Sequence, residues 1–195
     1  MTRALITGST EQVTAVAVAL RSAGFNPVCA DGWNTLADVC ATMPAQSFGC
    51  YVQLPARHPA RMTTSLGHLR AAIADGPLAR VDVVAALAPL LAKEATVLLV
   101  LGDAPGETVA GGAELLRRAV GDLVRVLADA ILEDHGASGV RVTVVGAHRS
   151  AEDIAELACR QGNLSPPWTS YADHEPDASF SGWRLEVLGL ASEHD

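Results

Sequence analysis

Residues 4–28, ALITGSTEQVTAVAVALRSAGFNPV, leave few folds open. A short apolar run ends at Thr7-Gly8, a small-residue stretch of helical spacing stops at Gly24, and a second apolar run follows at 26–30. Strand, helix and strand in that order predict a βαβ unit, whose two strands lie parallel because the helix carries the chain back across the sheet. Parallel strands are buried on both faces, so the remainder of the chain has to supply helices for two sides.

It does so by alternation. The segment DGWNTLADVCATMPAQS holds at most a short helix broken by Pro44, and FGCYVQL reads as a third buried strand. A long helical stretch is expected from about 63 to 92, interrupted near ADGPLA. ATVLLVLG is the most strand-like run of the chain, bounded by a Gly-Asp-Ala-Pro-Gly turn. A helix over 111–135 precedes the strand GVRVTVVG. SAEDIAELACRQ is a helix with Ser150 as its N-cap and acids in the first turn, which suits the helix dipole. A polar, proline-containing loop then leads to WRLEVLGL as a last strand. The reading is a single domain, 1–195, of α/β class: three layers, doubly wound and Rossmann-like, with a mostly parallel sheet of about six strands.

Composition narrows the partners. Eighteen per cent of the 195 residues are charged, and the net charge of −8 would repel nucleic-acid phosphates and anionic membrane surfaces, so neither partner is expected. Cys29, Cys40, Cys50 and Cys159 have no CxxC spacing, so the reading is reduced thiols in the cytoplasm. No signal peptide or membrane span is read. His58, His68, His135, His148, His174 and His194 follow no HxH or HExxH pattern, so no metal site is expected.

Three stretches resemble the short-chain dehydrogenase/reductase family of NAD(P)-dependent oxidoreductases. ALITGSTEQVTAVAVALRSAGFNPV is similar to the family's first strand, TGxxxGxG turn and first helix. HGASGVRVTVVGAH resembles its GIRVNxVxPG strand, and AEDIAELACRQGN with FSGWRLEVLGL resembles its closing helix and strand. The resemblance implies a cofactor turn at Gly8, with the helix N-terminus facing the pyrophosphate. Gly8 is kept, but the second and third glycine positions hold Gln12 and Thr14. Asp31, 23 residues after Gly8, falls where an acid would accept hydrogen bonds from an adenosine ribose, and equally where a simple Asp-Gly turn would stand. The chain between Asp31 and FGCYVQL is too short for the family's helix, strand and further helix, so the sheet is expected to lack an edge strand. The NNAG turn corresponds to QLPA, Gln53 to Ala56, and loses its pattern.

The resemblance places a catalytic Tyr and Lys near 116–121, where LRRAVG stands, and a Ser after VLLVLG, where Asp103-Ala104-Pro105-Gly106 stands. A proton donor tuned to neutral pH is the chemical need, and no replacement triad is found. The two tyrosines, Tyr51 and Tyr171, are read as a strand residue and a loop residue. Asp103 and His148 remain ligand candidates at the carboxyl edge, each with the plainer reading of a turn or loop residue. Arg117-Arg118 could hold an anion, or could pair with Glu114 and Asp122 on a solvated face. Trp168, Trp183 and Tyr171 could line a pocket or pack at an interface.

Helices near 80–92 and 111–135 carry more apolar residues than one sheet face can bury, among them Leu115, Leu116, Val120, Leu123, Val124, Val126, Leu127 and Ile131. In the family such helices form a dimer interface, so a homodimer, or a heterodimer with a relative of the same fold, is expected. The functional expectation is a catalytically degenerate protein acting in binding, regulation or assembly, with Gly8 and Asp31 as remnants of an NAD site. Two alternatives stay open: an NAD(P)-dependent oxidoreductase with a rearranged site, and a sensor of a dinucleotide or small metabolite.

Overall fold

The computed structural model describes residues 1–8, 12–30, 33–55, 70, 74, 78–102, 112–146, 149–160, 168–172 and 175–176. Within them one sheet holds β1 (Arg3–Thr7), β2 (Asn26–Ala30), β3 (Phe48–Gln53), β4 (Leu91–Val100), β5 (Arg141–Val145), β6 (Trp168–Ala172) and β7 (Glu175–Pro176). Its order is β2-β1-β3-β4-β5-β6-β7. The first six strands are parallel, and the two-residue β7 turns back antiparallel on β6. The helices are α1 (Gln12–Ser22), α2 (Trp33–Thr42), α3 (Ala79–Leu87), α4 (Gly112–His135) and α5 (Ala151–Cys159).

Side-chain alternation along the strands divides the core into two layers. Leu5, Tyr51, Val97 and Val142 stand in register across β1, β3, β4 and β5, and pack against Leu36 and Val39 of α2, Val84 and Leu87 of α3, and Val124, Leu127, Ala128 and Ile131 of α4. Ile6, Val52 and Leu98 face the other way and meet Val16 and Leu20 of α1 and Ile154 and Ala158 of α5. The expected three-layer, doubly wound α/β arrangement is what the chain adopts. Among the described residues no strand lies outside β2, as the short stretch after Asp31 led us to expect. In the full doubly wound sheet a strand lies outside β2, whereas here α2 carries the chain directly to the far side of β1.

Three expectations need correction. The helical stretch expected to reach 92 ends at Leu87, because Pro89 lies in a 3-10 turn, Ala88–Leu90, and has no amide hydrogen with which to continue the ladder. The strand expected from 95 therefore begins at Leu91. Its register on β3 steps between Phe48↔Leu91 and Cys50↔Thr96, and the surplus is taken up around Glu94, whose φ is +61°. Finally, Trp168–Ala172, read as part of a proline-containing loop, is the parallel strand beside β5. Tyr171 is thus a strand residue, and among the described residues the sheet has seven strands where about six were expected. The segment 183–190, read as the last strand, lies outside the described residues.

Candidate site at the carboxyl edge of the sheet

The carboxyl ends of β1, β3, β4 and β5 form the edge at which open α/β sheets bind ligands, and the chain reverses its winding direction between β1 and β3. Gly8 follows β1 there with φ +134°. A Cβ at this position would lie 2.8 Å from Leu54 Cβ and 2.9 Å from the Leu54 carbonyl oxygen. The Leu54 amide also donates to the Thr7 carbonyl at 2.8 Å. The glycine is therefore required by the close passage of the β3 exit, whatever the turn binds. Gln12 and Thr14, at the two lost glycine positions, are exposed on the first turn of α1.

Below this turn lies a buried polar chain. The hydroxyls of Thr7 and Tyr51 share a hydrogen bond of 2.8 Å, and Tyr51 is sealed at 0% exposure. Burial pushes the phenol up to about 12, against the smaller lowering by Thr7, Arg80 and Gln53. At that value it has no use as an acid near neutrality.

Next to it, Arg80 reaches inward from the first turn of α3 and is 6% exposed. Its Nε donates to Gln53 Oε1 at 2.7 Å, while Gln53 Nε2 donates to the Arg80 carbonyl at 3.1 Å. One Nη2 group donates to the Gln53 carbonyl at 3.3 Å and to the Val100 carbonyl at 2.7 Å, tying the ends of β3 and β4 together. All three acceptors are neutral. Among the described residues no carboxylate pairs with this guanidinium. Burial lowers its pKa to about 10, with Tyr51 acting weakly the other way.

Arg80 was missed by sequence reasoning, and Gln53 was treated only as part of a lost turn. The available signal was a joint one: a single Arg in the apolar run ARVDVVAALAPLL and a single Gln closing the apolar strand FGCYVQ. Each is a polar intrusion on a face the pattern buries.

Of the sequence candidates, Gly8 is placed at this edge. Asp31 directly follows β2, and Asp103 and His148 follow β4 and β5 within three residues, but all three lie outside the described residues. Trp183 also lies outside them. Arg149, next to His148, is described: its Nε is buried and has no hydrogen-bond partner. Residues 116–121 lie within α4. Asp122 pairs with Arg125 at 3.3 Å. Among the described residues no cluster of His, Cys, Asp and Glu could hold a metal, and no helix is long and apolar enough to cross a membrane. An open depression of about 410 Å³, lined by Met1, Thr2, Arg3, Asn26, Ser47, Gly49 and Ala92, lies at the opposite, amino edge of the sheet. It gathers none of the candidate residues.

No protein-family model matches the chain, and no curated protein matches its sequence. Solved structures do match its fold. A putative short-chain alcohol dehydrogenase from Burkholderia multivorans superposes with a TM-score of 0.67 at 12% identity, covering 91% of this chain and 99% of that one. An enoyl-[acyl-carrier-protein] reductase (NADH) from Aquifex aeolicus gives 0.63 at 14% identity, with 89% and 96% covered. A short-chain dehydrogenase/reductase from Serratia marcescens gives 0.59 at 12%, with 88% and 96% covered. With about nine-tenths of this chain and nearly all of each neighbour covered, this chain has the fold of the short-chain dehydrogenase/reductases, in a shortened form.

Proposed function

We propose that the chain is a divergent short-chain dehydrogenase/reductase that has given up hydride chemistry and serves as a binding, regulatory or assembly partner. The observation that carries this reading is the fate of the proton donor. Leu116–Gly121 of α4 contains neither Tyr nor Lys, and Tyr51 of β3 is locked on Thr7 at full burial. The exposed Gln12 and Thr14 and the absent strand beside β2 support it, since both remove surroundings that a dinucleotide uses. Gly8 does not argue against it, because Leu54 accounts for the glycine.

The partner is a second copy or a relative of the same fold, docked on α3 and α4. Leu78 and Val81 at the start of α3 are 55% and 44% exposed, and Leu123 and Val126 of α4 are 45% and 52% exposed, although the opposite faces of both helices are in the core. Of the segment near 80–92 expected to dock, the helix itself reaches Leu87.

An oxidoreductase with a rearranged site is the second reading, favoured by the likeness in fold to an enoyl-[acyl-carrier-protein] reductase (NADH). Titration with NADH and NADPH separates the two. The degenerate reading expects no saturable binding at millimolar nucleotide and no carbonyl turnover. Turnover abolished by Asp103→Ala or Tyr171→Phe would instead establish the oxidoreductase, and binding without turnover a dinucleotide sensor.

A further inference from the structure

We infer that Arg80 is a positioning residue that makes the first turn of α3 and the carboxyl edge of the sheet one cooperative unit, so that a second copy seated on Leu78 and Val81 tightens the strand ends beside Gly8. The occupant is the one named under the proposed function, and the inference rests on that reading.

The route runs through two particular peptide units. Arg80 Nη2 donates to the carbonyls of Gln53 and Val100. The N–H groups of those same two peptides belong to Leu54 and Leu101, and they donate to the Thr7 and Val145 carbonyls, each at 2.8 Å. A peptide is planar, so its carbonyl and its N–H turn together. One guanidinium therefore orients the last rung between β3 and β1 and the last rung between β4 and β5. The first of these ends on Thr7, and Leu54 lies against Gly8, so the chain of contacts reaches the glycine itself.

The other end of the route is the docking face. Arg80 is 6% exposed, whereas Leu78 and Val81, on either side of it in the chain, are 55% and 44% exposed. Gln53 Nε2 donates to the Arg80 carbonyl and Arg80 Nε donates to Gln53 Oε1, so the main chain and the side chain of this one residue are both fastened to β3. Movement of the turn that carries Leu78 and Val81 thus breaks bonds at the strand ends, and opening of the strand ends frees the turn. A planar fork that reaches two strands at once is what this position uses, and a point charge such as an ammonium lacks that geometry.

Proteins open locally, each region with its own free energy. A partner that holds Leu78 and Val81 still opposes the opening in which Arg80 lets go, and the effect appears at Leu54 and Leu101. Association thereby decides how firmly the carboxyl edge is held.

The test is amide hydrogen exchange of the full chain at a dilute, monomeric concentration and at a concentrated, dimeric one, with Asn26 as the reference. The Asn26 amide donates to the Thr2 carbonyl at the amino edge, away from Arg80. On dimerisation Leu54 and Leu101 should slow about tenfold more than Asn26, the effect of one hydrogen bond to a charged group. Arg80→Lys, which keeps the charge and loses the fork, should still dimerise and return both amides to the behaviour of Asn26. If that variant does not fold, the wild-type comparison decides. A dimer in which Leu54 and Leu101 slow no more than Asn26 overturns the inference and leaves the docking reading standing, as does an Arg80→Lys dimer that slows them as fully as the wild type. A chain that stays monomeric at every concentration overturns both.

Discussion

At the scale of single residues, Gly8 and Cys50 show how packing sets requirements that chemistry does not. Gly8→Ala puts a methyl group against Leu54 at a φ that L residues avoid. Strain and overpacking together should cost about 3 kcal/mol, read as a lower urea midpoint with an unchanged m-value. Cys50 makes a pH prediction. Burial first, and the neighbouring Cys159 second, push its thiol from 9.0 up to about 12. The unfolded chain therefore releases that proton near pH 9 while the folded chain keeps it, so stability is intact below pH 9 and falls as pH rises toward 12. Tyr51 adds a decline of the same sign from pH 10, and the lowered pKa of Arg80 opposes it there. The window from 9 to 10 thus belongs to Cys50, with a slope of at most about 1.4 kcal/mol per pH unit. Denaturation of Cys50→Ala across that window should show the slope removed.

Elements were legible where local signals agreed. The Ser150 cap of α5 was read from Ser followed by acids, and the structure forms the full box: Asp153 N–H donates to Ser150 Oγ and Ser150 N–H to Asp153 Oδ2, both at 3.1 Å. Ser150→Ala should cost about 1 kcal/mol in thermal denaturation, with Ser150→Asp restoring most of it. Helix α4 matched its reading to one residue, because apolar residues at helical spacing run unbroken for six turns. Failures came where a local signal was overruled. Leu91 and Ala92 look helical beside AALAPLLA, but Pro89 ends the ladder and the Phe48 edge captures the chain into β4. Trp168–Ala172 has too many polar and turn-forming neighbours to read as a strand. Its conformation is imposed by the open edge of β5, since strand formation depends on the partner more than on the residue.

For the whole molecule, the prediction concerns association. Leu78 and Val81 at the start of α3, and Leu123 and Val126 of α4, expose apolar side chains, and such patches mark interaction surfaces. Sedimentation at micromolar concentration should give a dimer, and the double substitution Leu123→Asp with Val126→Asp a folded monomer. A wild-type monomer at that concentration would remove the self-association reading.

The opening βαβ, the alternation of buried runs with helices and the short stretch after Asp31 are written in local pattern, and they were enough for the class of fold and for the loss of an edge strand. Residue period and segment length are properties of the chain itself. The pairing of Arg80 with Gln53 is of a different kind. The two are 27 positions apart, and nothing local links them. Only the sheet order brings the ends of β3 and β4 under the first turn of α3 and closes an apolar layer around the charge. Low dielectric and imposed proximity fix an ordinary arginine on the ends of two strands, and both exist only once the tertiary structure has formed.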